Sequence, residues 1–280
     1  MILTIENWFL IVLGLIWIIG AVLQDLRRRE VDNLWNFSLI GFALAYRFAI
    51  SVSSGDYWFI LNGIFGLVIF LFLGNLFYYG RLFAGGDAKL LIALGCILPL
   101  SSNWMINFEI FGLFIVLFLA LGSIYALIWA MFLVGLHWRG FRKEFVKQWK
   151  IYKKMFLIAI IFVICWTIFL FLVSKTELIL VGLVILLFPV LFTFAKAVEE
   201  SCMIKKTKPN KVTEGDWLYR DITVSGKKIK ANWEGVSKSE LKWIKKHGKK
   251  DIFVKQGIPF TPSFLFAFIG LLILVWYGLL

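Results

Sequence analysis

Cysteine is scarce. Only Cys96, Cys165 and Cys202 occur in 280 residues. No two form a C-x-x-C pair, so there is no zinc signature and no disulfide framework. Cys96 and Cys165 fall in apolar stretches, where a buried small hydrophobe is the simple reading. Charge is thin as well: 17% of residues are charged and 61% are hydrophobic, with mean hydropathy +0.86. So few charged residues could not cover the apolar surface of a soluble domain. Sustained apolar/polar alternation is missing, which argues against a transmembrane barrel. The first apolar run, Trp8 to Gln24, lacks a basic n-region. It ends in Asp25-Leu26-Arg27-Arg28-Arg29 rather than at a small-residue cleavage site. It therefore reads as a retained first span, not a cleaved signal. No internal repeat is found.

What the chain does have is a series of long apolar runs. Each is about long enough to cross a ~30 Å hydrocarbon core as a helix. Backbone groups in lipid must be satisfied internally, which favours a helix bundle. Helices are expected at about 8–24, 34–52, 57–79, 87–104, 107–136, 154–173, 177–195 and 259–280. The expected fold is thus a polytopic α-helical membrane protein with about eight transmembrane helices. Of the 30 Lys and Arg residues, all but Arg47 and Lys175 lie in or beside the segments near 25–33, 80–87, 137–154 and 196–258. The connections near 53–57, 104–107 and 174–177 are short and nearly free of cations. The positive-inside rule puts the basic set in the cytoplasm and both termini outside, in the cell membrane. A net charge of +13 then needs no nucleic-acid partner, because an anionic inner leaflet of membrane lipids accounts for it.

Residues 196–258 are the sizeable soluble piece and read as a small cytoplasmic α+β module. Asp216 to Val224 and Lys227 to Ala231 are expected strands around a Ser225-Gly226 hairpin. Ser237-Lys-Ser-Glu240 is a capping box for a helix that stops at Gly248, and Asp251 to Lys255 is a further candidate strand. About 60 residues make a marginal domain alone, so packing on the membrane part is expected. The resulting division is a helix bundle over 1–195, the module over 196–258, and a last helix over 259–280, entered through Pro259 and Pro262.

Acidic residues carry the functional signal, because an ionisable group at membrane level is costly. Asp25 ends the first span and Asp87 opens the fourth, directly after Gly85-Gly86. That fourth run is short. Asp87 to Pro99 would give ~20 Å of helix, and continuing to Trp104 gives ~27 Å. Asp87 is therefore expected at or slightly below the membrane surface. Gly85 and Gly86 permit close backbone approach or unusual dihedrals just before it. Taken singly, Asp25 could neutralise Arg27 to Arg29, and Asp87 could be a helix N-cap. Together on one membrane face they form a candidate carboxylate dyad. Two close carboxylates share a proton, giving one general base and one acid, as peptide hydrolysis requires.

At these residues the sequence resembles the archaeal type IV prepilin peptidases, the preflagellin peptidase group of GxGD membrane aspartic peptidases. Asp25-Leu-Arg-Arg-Arg-Glu-Val31-Asp-Asn33-Leu-Trp35 resembles their first aspartate motif, and Gly85-Gly86-Asp87-Ala88-Lys89-Leu90-Leu91 their second. Val212-Thr-Glu-Gly-Asp-Trp217 and Gly257-Ile-Pro-Phe-Thr-Pro262 are also similar to stretches of that branch. The resemblance implies an aspartic endopeptidase of the cell membrane. Such an enzyme removes a short basic leader from prepilin-like or preflagellin-like proteins on the cytoplasmic side. Asp25 and Asp87 take the catalytic positions, and Gly86 the glycine before the second aspartate.

The chain departs from the pattern in three ways. Ala84 stands at the first position of G-x-G-D, where strain would follow if the site needed a positive φ. The hairpin at 154–195 exceeds the six-span core that the resemblance implies. The cysteine-rich insert of the bacterial branch is missing, so neither zinc nor any other cofactor, nor methyltransferase activity, is expected. Because most of the inner face is cationic, a basic leader would need a local acidic spot. Glu30 and Asp32, close to Asp25, are the candidates, unless they only pair with Arg27 to Arg29. The competing readings are a presenilin-type protease, a transporter or channel using the aspartates as ion sites, and a non-catalytic scaffold. A presenilin-type enzyme would need a Tyr-Asp pair where Gln24-Asp25 stands. An ion pathway would call for an acid at mid-membrane, and none is placed there.

Overall fold

The computed structural model describes residues 4–173, 179–248 and 250–278. Among the described residues, nine α-helices and five short strands follow in the order α1 (Ile5–Arg28), α2 (Asn33–Ser54), α3 (Trp58–Tyr79), α4 (Gly85–Leu94), α5 (Trp104–Leu136), α6 (Trp138–Leu172), α7 (Ile179–Cys202), β1 (Ile204–Thr207), β2 (Trp217–Leu218), β3 (Ile222–Val224), β4 (Lys227–Ile229), α8 (Lys238–His247), β5 (Ile252–Lys255) and α9 (Pro262–Trp276). Among the described residues, α1, α2, α3, α5, α6 and α7 are long and apolar enough to cross a membrane. The architecture is that of a polytopic helical membrane protein. The chain separates into one unit of residues 1–127 and 258–280 and another of 128–257.

In the first unit, sequence signals set the helix ends. Thr4 caps α1, its side chain accepting from the Asn7 amide. Arg29 closes α1 in the left-handed region, at φ 61°, and its N–H donates to the Asp25 carbonyl. Gly55, at φ 75°, closes α2. At the junction of α1 and α2, Trp17 and Trp35 stack at 5.2 Å, and each indole N–H donates to the other's carbonyl at 2.9 Å. Gly20 makes this possible, since a Cβ there would run into the Trp35 ring. The shared core gathers Leu10, Ile18, Leu39, Phe70, Leu91, Phe114, Phe118, Phe264 and Phe268.

The fourth expected helix is where sequence and structure part. The helix in 87–104 stops at Leu94, and residues 95–103 continue as turns and irregular backbone. Gly95 and Pro99 disfavour helix there. The carbonyls so released are taken by buried side chains, as backbone at membrane depth requires. Arg47, wholly buried, donates to Cys96 O (2.9 Å), Ile97 O (3.4 Å) and Pro99 O (2.6 Å). A further bond runs to Phe59 O (2.9 Å). Asn7 donates to Leu100 O (2.6 Å), and Asn62 and Asn107 to Ser101 O at 3.3 and 2.8 Å. Close packing completes the arrangement. A Cβ at Gly66 would collide with Gly95 O, and one at Gly74 would lie 3.0 Å from Ala88 O. Arg47, counted by charge alone as an outer-side cation, is thus an internal clamp.

In the second unit, α6 corrects another boundary. From Trp138 on, the basic stretch 137–154 is helix, not loop, and joins the apolar run into one 35-residue helix. Aromatics recur at helical spacing along it: Phe141, Phe145 and Trp149 contact in turn, and Trp149 meets Phe156. Phe141 and Tyr152 pack on Phe194 and Phe192 of α7. Likewise α7 runs on to Cys202, beyond the expected end at 195. The expected 174–177 connection and Lys175 lie outside the described residues.

The strands form a three-stranded antiparallel sheet ordered β1-β5-β2, and a separate β3-β4 hairpin through Ser225-Gly226. The expected first strand is broken at Tyr219 to Asp221, and β1 adds a strand not foreseen. The α8 capping box forms in full, with Ser237 and Glu240 exchanging bonds, and the helix stops at Gly248. Val212, Leu218, Val224, Val236, Ile244 and Val254 make a small core of their own.

Candidate active site

Asp25 sits in the last turn of α1 and is 7% exposed. Its Oδ2 accepts two hydrogen bonds from Thr261: one from the backbone N–H (3.2 Å) and one from the hydroxyl (2.9 Å). Thr261 is fully buried and caps α9. A residue 236 positions away therefore holds the carboxylate. Asp87 occupies the third position of α4, with Ala84 as the N-cap. The N-cap role considered for Asp87 thus falls to Ala84, and Asp87 lies where an acid can reach back toward the Ala84 amide. Asp87 is only half-buried, and the Asp25 charge acts on it directly. The α4 N-terminus supplies a local positive potential to Asp87 in its first turn.

The two glycines that open α4 behave differently from expectation. Ala84 is extended at φ −70°, ψ 159°, so alanine is unstrained at that position. Neither Gly85 nor Gly86 has a positive φ. A Cβ at Gly86 would sit 3.6 Å from Val31 N, which is ordinary contact. The unusual dihedrals expected there are therefore absent, and a Cβ at Gly85 would likewise make only ordinary contact, with the Tyr78 ring. The first turns of α4 are tied to α2. Asn36 donates to Gly86 O at 3.4 Å, and Lys89 donates to Asn33 Oδ1 at 2.7 Å. The wholly buried Asn36 keeps its own Oδ1 unpaired.

Below the dyad, Phe83 packs against Phe118, Phe260 and Phe264, giving the site an apolar floor. Tyr125 of α5 lies within the field of Asp25 and of Arg29. Thr261, Asn36 and Tyr125 were not singled out in the sequence. Only Thr261 had a signal, its place in the Gly257 to Pro262 stretch.

Glu30 and Asp32 are exposed on the α1–α2 connection. Asp32 meets Arg28 at 4.0 Å, both side chains being largely in solvent (64% and 74% exposed). It borders an open depression of about 580 Å³ lined by Asn33, Leu34, Trp35 and Ser38. Among the described residues, no three His, Cys, Asp or Glu side chains cluster as metal ligands. Cys96 is buried as expected, but Cys165 is exposed on α6. The reason is that α6 has the least buried apolar surface of the long helices.

Residues 12–138 match the family model described as the Type IV leader peptidase family, a stretch that holds both aspartates. The chain is 35% identical over 89 residues to a preflagellin peptidase of Methanococcus maripaludis, covering 31% of this chain and 38% of that protein. It is 32% identical over 88 residues to the preflagellin peptidase of Methanocaldococcus jannaschii, covering 31% and 37%. For that of Methanococcus voltae the figure is 29% over 89 residues, with 31% and 37% covered. The chain thus spans less than two fifths of the length of the curated relatives it matches. No solved structure matches it. The resemblance to the type IV leader and preflagellin peptidases is real and lies in the region that carries the aspartates.

Proposed function

We propose that this chain is a membrane aspartic endopeptidase that removes the short basic leader of prepilin-like or preflagellin-like proteins. The observation that carries this reading is the meeting of Asp25 and Asp87. They come from two helices about 60 residues apart in sequence, close enough for the charge of Asp25 to act on Asp87. The two carboxyl groups share a proton, as close acids must. The ionised one takes a proton from water, whose oxygen attacks the scissile carbonyl carbon. The protonated one donates to the carbonyl oxygen. The apolar floor of phenylalanines limits bulk water and strengthens these interactions.

In this reading the dyad faces the cytoplasm. The chain crosses the membrane with α4 and α9 as the two shorter of eight segments, and both termini lie outside. The strand-bearing module is cytoplasmic, and the apolar hairpin within 154–195 is an addition to the family core. Asp32, and Glu30 beside it, receive the basic leader at the depression next to the site. The cut needs no metal or cofactor and is not followed by methylation.

The test is co-expression with a pilin-like protein carrying a basic leader, following its size and new N-terminus. Shortening that requires both Asp25 and Asp87 supports the proposal. Full-length substrate in the presence of folded, membrane-inserted protein overturns it.

A further inference from the structure

Asp87 stands in a helical turn with little local support. Ala84 is the N-cap of α4 and offers no side-chain oxygen to the first N–H groups, so the turn depends on partners from elsewhere. Asp87 reaches back toward the Ala84 amide, but a carboxyl engaged on a peptide bond cannot serve as that tie at the same moment. At ten residues α4 is also short, and short helices fray. The partners come from α2. Asn36 Nδ2 donates to Gly86 O at 3.4 Å, and Asn33 Oδ1 accepts from Lys89 Nζ at 2.7 Å. Asn33 and Asn36, at i and i+3, share one face of α2. Their contacts, Gly86 and Lys89, bracket Asp87. Val31, itself buried, backs the same turn, its N lying 3.6 Å from where a Gly86 Cβ would be.

Asn36 is the more telling of the two. It is wholly buried, and its Oδ1 has no hydrogen-bond partner among the described residues. A buried acceptor without a donor is destabilising, whereas an apolar side chain of similar volume in its place is neutral or better. Its Nδ2 is not needed to satisfy Gly86 O, because the ladder of α4 brings the Leu90 N–H to that carbonyl. What the amide does, and a leucine would not, is fix the backbone immediately before Asp87.

We propose that Asn36 is a positioning residue for Asp87, with Asn33 holding the far side of the same turn through Lys89, and that this placement is kept at a cost in stability. The inference rests on the peptidase reading for its effect on catalysis, but not for its effect on the turn.

The test uses the full-length protein in lipid nanodiscs and three measurements on Asn36→Leu: leader cleavage, thermal unfolding and amide hydrogen exchange. A misplacement of about 1 Å lowers a rate by up to ~10²-fold, so kcat should fall ~10–10²-fold with KM nearly unchanged. The unfolding temperature should stay or rise. Exchange at the Ala88, Lys89 and Leu90 amides, which close the first turn, should quicken by about tenfold, while Phe114 to Phe118 of α5 stay as they were. Asn33→Ala should lower kcat in the same direction but less, and Asn33→Asp, which keeps an acceptor for Lys89, should recover most of that loss. An unfolding temperature that drops together with kcat marks Asn36 as ordinary core and overturns the proposal. So does an unchanged kcat, or a raised KM alone. If Asn36→Leu does not fold, Asn36→Met takes its place with the same expectations, and failure of both overturns the proposal, since the amide is then needed for the fold. Faster exchange in the variant of a parent that cuts no leader leaves the tie standing and removes the peptidase reading. Cleavage by the parent, with kcat and exchange unmoved in Asn36→Leu, removes only the positioning role.

Discussion

In residues 1–127 and 258–280, buried polar side chains are numerous and most are engaged with backbone. Arg47 binds four carbonyls, Asn7, Asn62 and Asn107 bind two more, and Asp25 is held by Thr261. In residues 128–257 only Gln148 and Thr193 are buried polar side chains among the described residues. Charge there sits in partly or largely exposed pairs such as Lys228–Asp221, Lys206–Asp251 and Lys147–Glu144. Burying polar groups is costly unless each finds a partner. A region that bears this cost holds non-helical backbone and two acids in fixed places. A region that avoids it keeps only regular helices and a small module. One changed side chain therefore alters geometry in the first region and only a surface in the second.

The comparison breaks most visibly at the dyad. Asp25→Asn and Asp87→Asn keep shape and remove a proton-transfer group, so each should lower leader cleavage by ~10²–10⁴-fold while leaving membrane insertion intact. Cleavage rates on purified variants check this, and near-full activity in either variant removes that residue from the chemistry. The next largest effect is at Arg47. Arg47→Leu strands several buried carbonyls, at ~1–3 kcal/mol for each left unsatisfied. Thermal unfolding in detergent should show a drop of at least several degrees, and an unchanged transition would mean that water or another group replaces the guanidinium. Lys206→Leu and Lys228→Leu in the other unit should shift the same transition little, since exposed pairs contribute ~0–1 kcal/mol.

Glycines sharpen the contrast further. Gly66→Ala places a methyl against the Gly95 carbonyl and should destabilise by ~1–3 kcal/mol. Gly112→Ala on α5 meets nothing within 4 Å and should be neutral or slightly stabilising. Equal effects at both positions would contradict the close approach of α3 and α4.

The mildest change is at the loop acids. The double variant Glu30→Gln, Asp32→Asn should leave stability nearly unchanged. It should weaken processing of basic leaders more than neutral ones, and more at low salt. Equal loss on both leaders would leave these residues as loop charges, a role the Arg28–Asp32 pair already shows in part.

What could be read from the sequence follows from how local each signal is. The α8 capping box and the Ser225-Gly226 hairpin depend on neighbours within a few residues, and both formed where the sequence places them. The long apolar runs were legible because lipid demands length and continuity. The early end of α4 was not, because the carbonyls it frees are taken by Arg47 and Asn7, which lie far away in sequence. The extension of α6 was missed because a charge-rich stretch reads as a solvated loop until its aromatics are seen to face α7. At the site, the two aspartates were legible as acids at span ends. Thr261 was not, since a hydroxyl 236 residues away carries no spacing signal toward Asp25. Ala84 looked like a defect in the motif and turned out to occupy an ordinary extended N-cap.

The central claim is that Asp25 and Asp87 act together on a peptide bond. It is tested most directly by incubating the purified full-length protein, in lipid nanodiscs, with a pilin-like substrate and sequencing the product. One new N-terminus just before the substrate's apolar helix, produced over many turnovers and lost in both Asp25→Asn and Asp87→Asn, is the expected result. No cleavage by the folded parent protein, or the same cleavage by either variant, would contradict it.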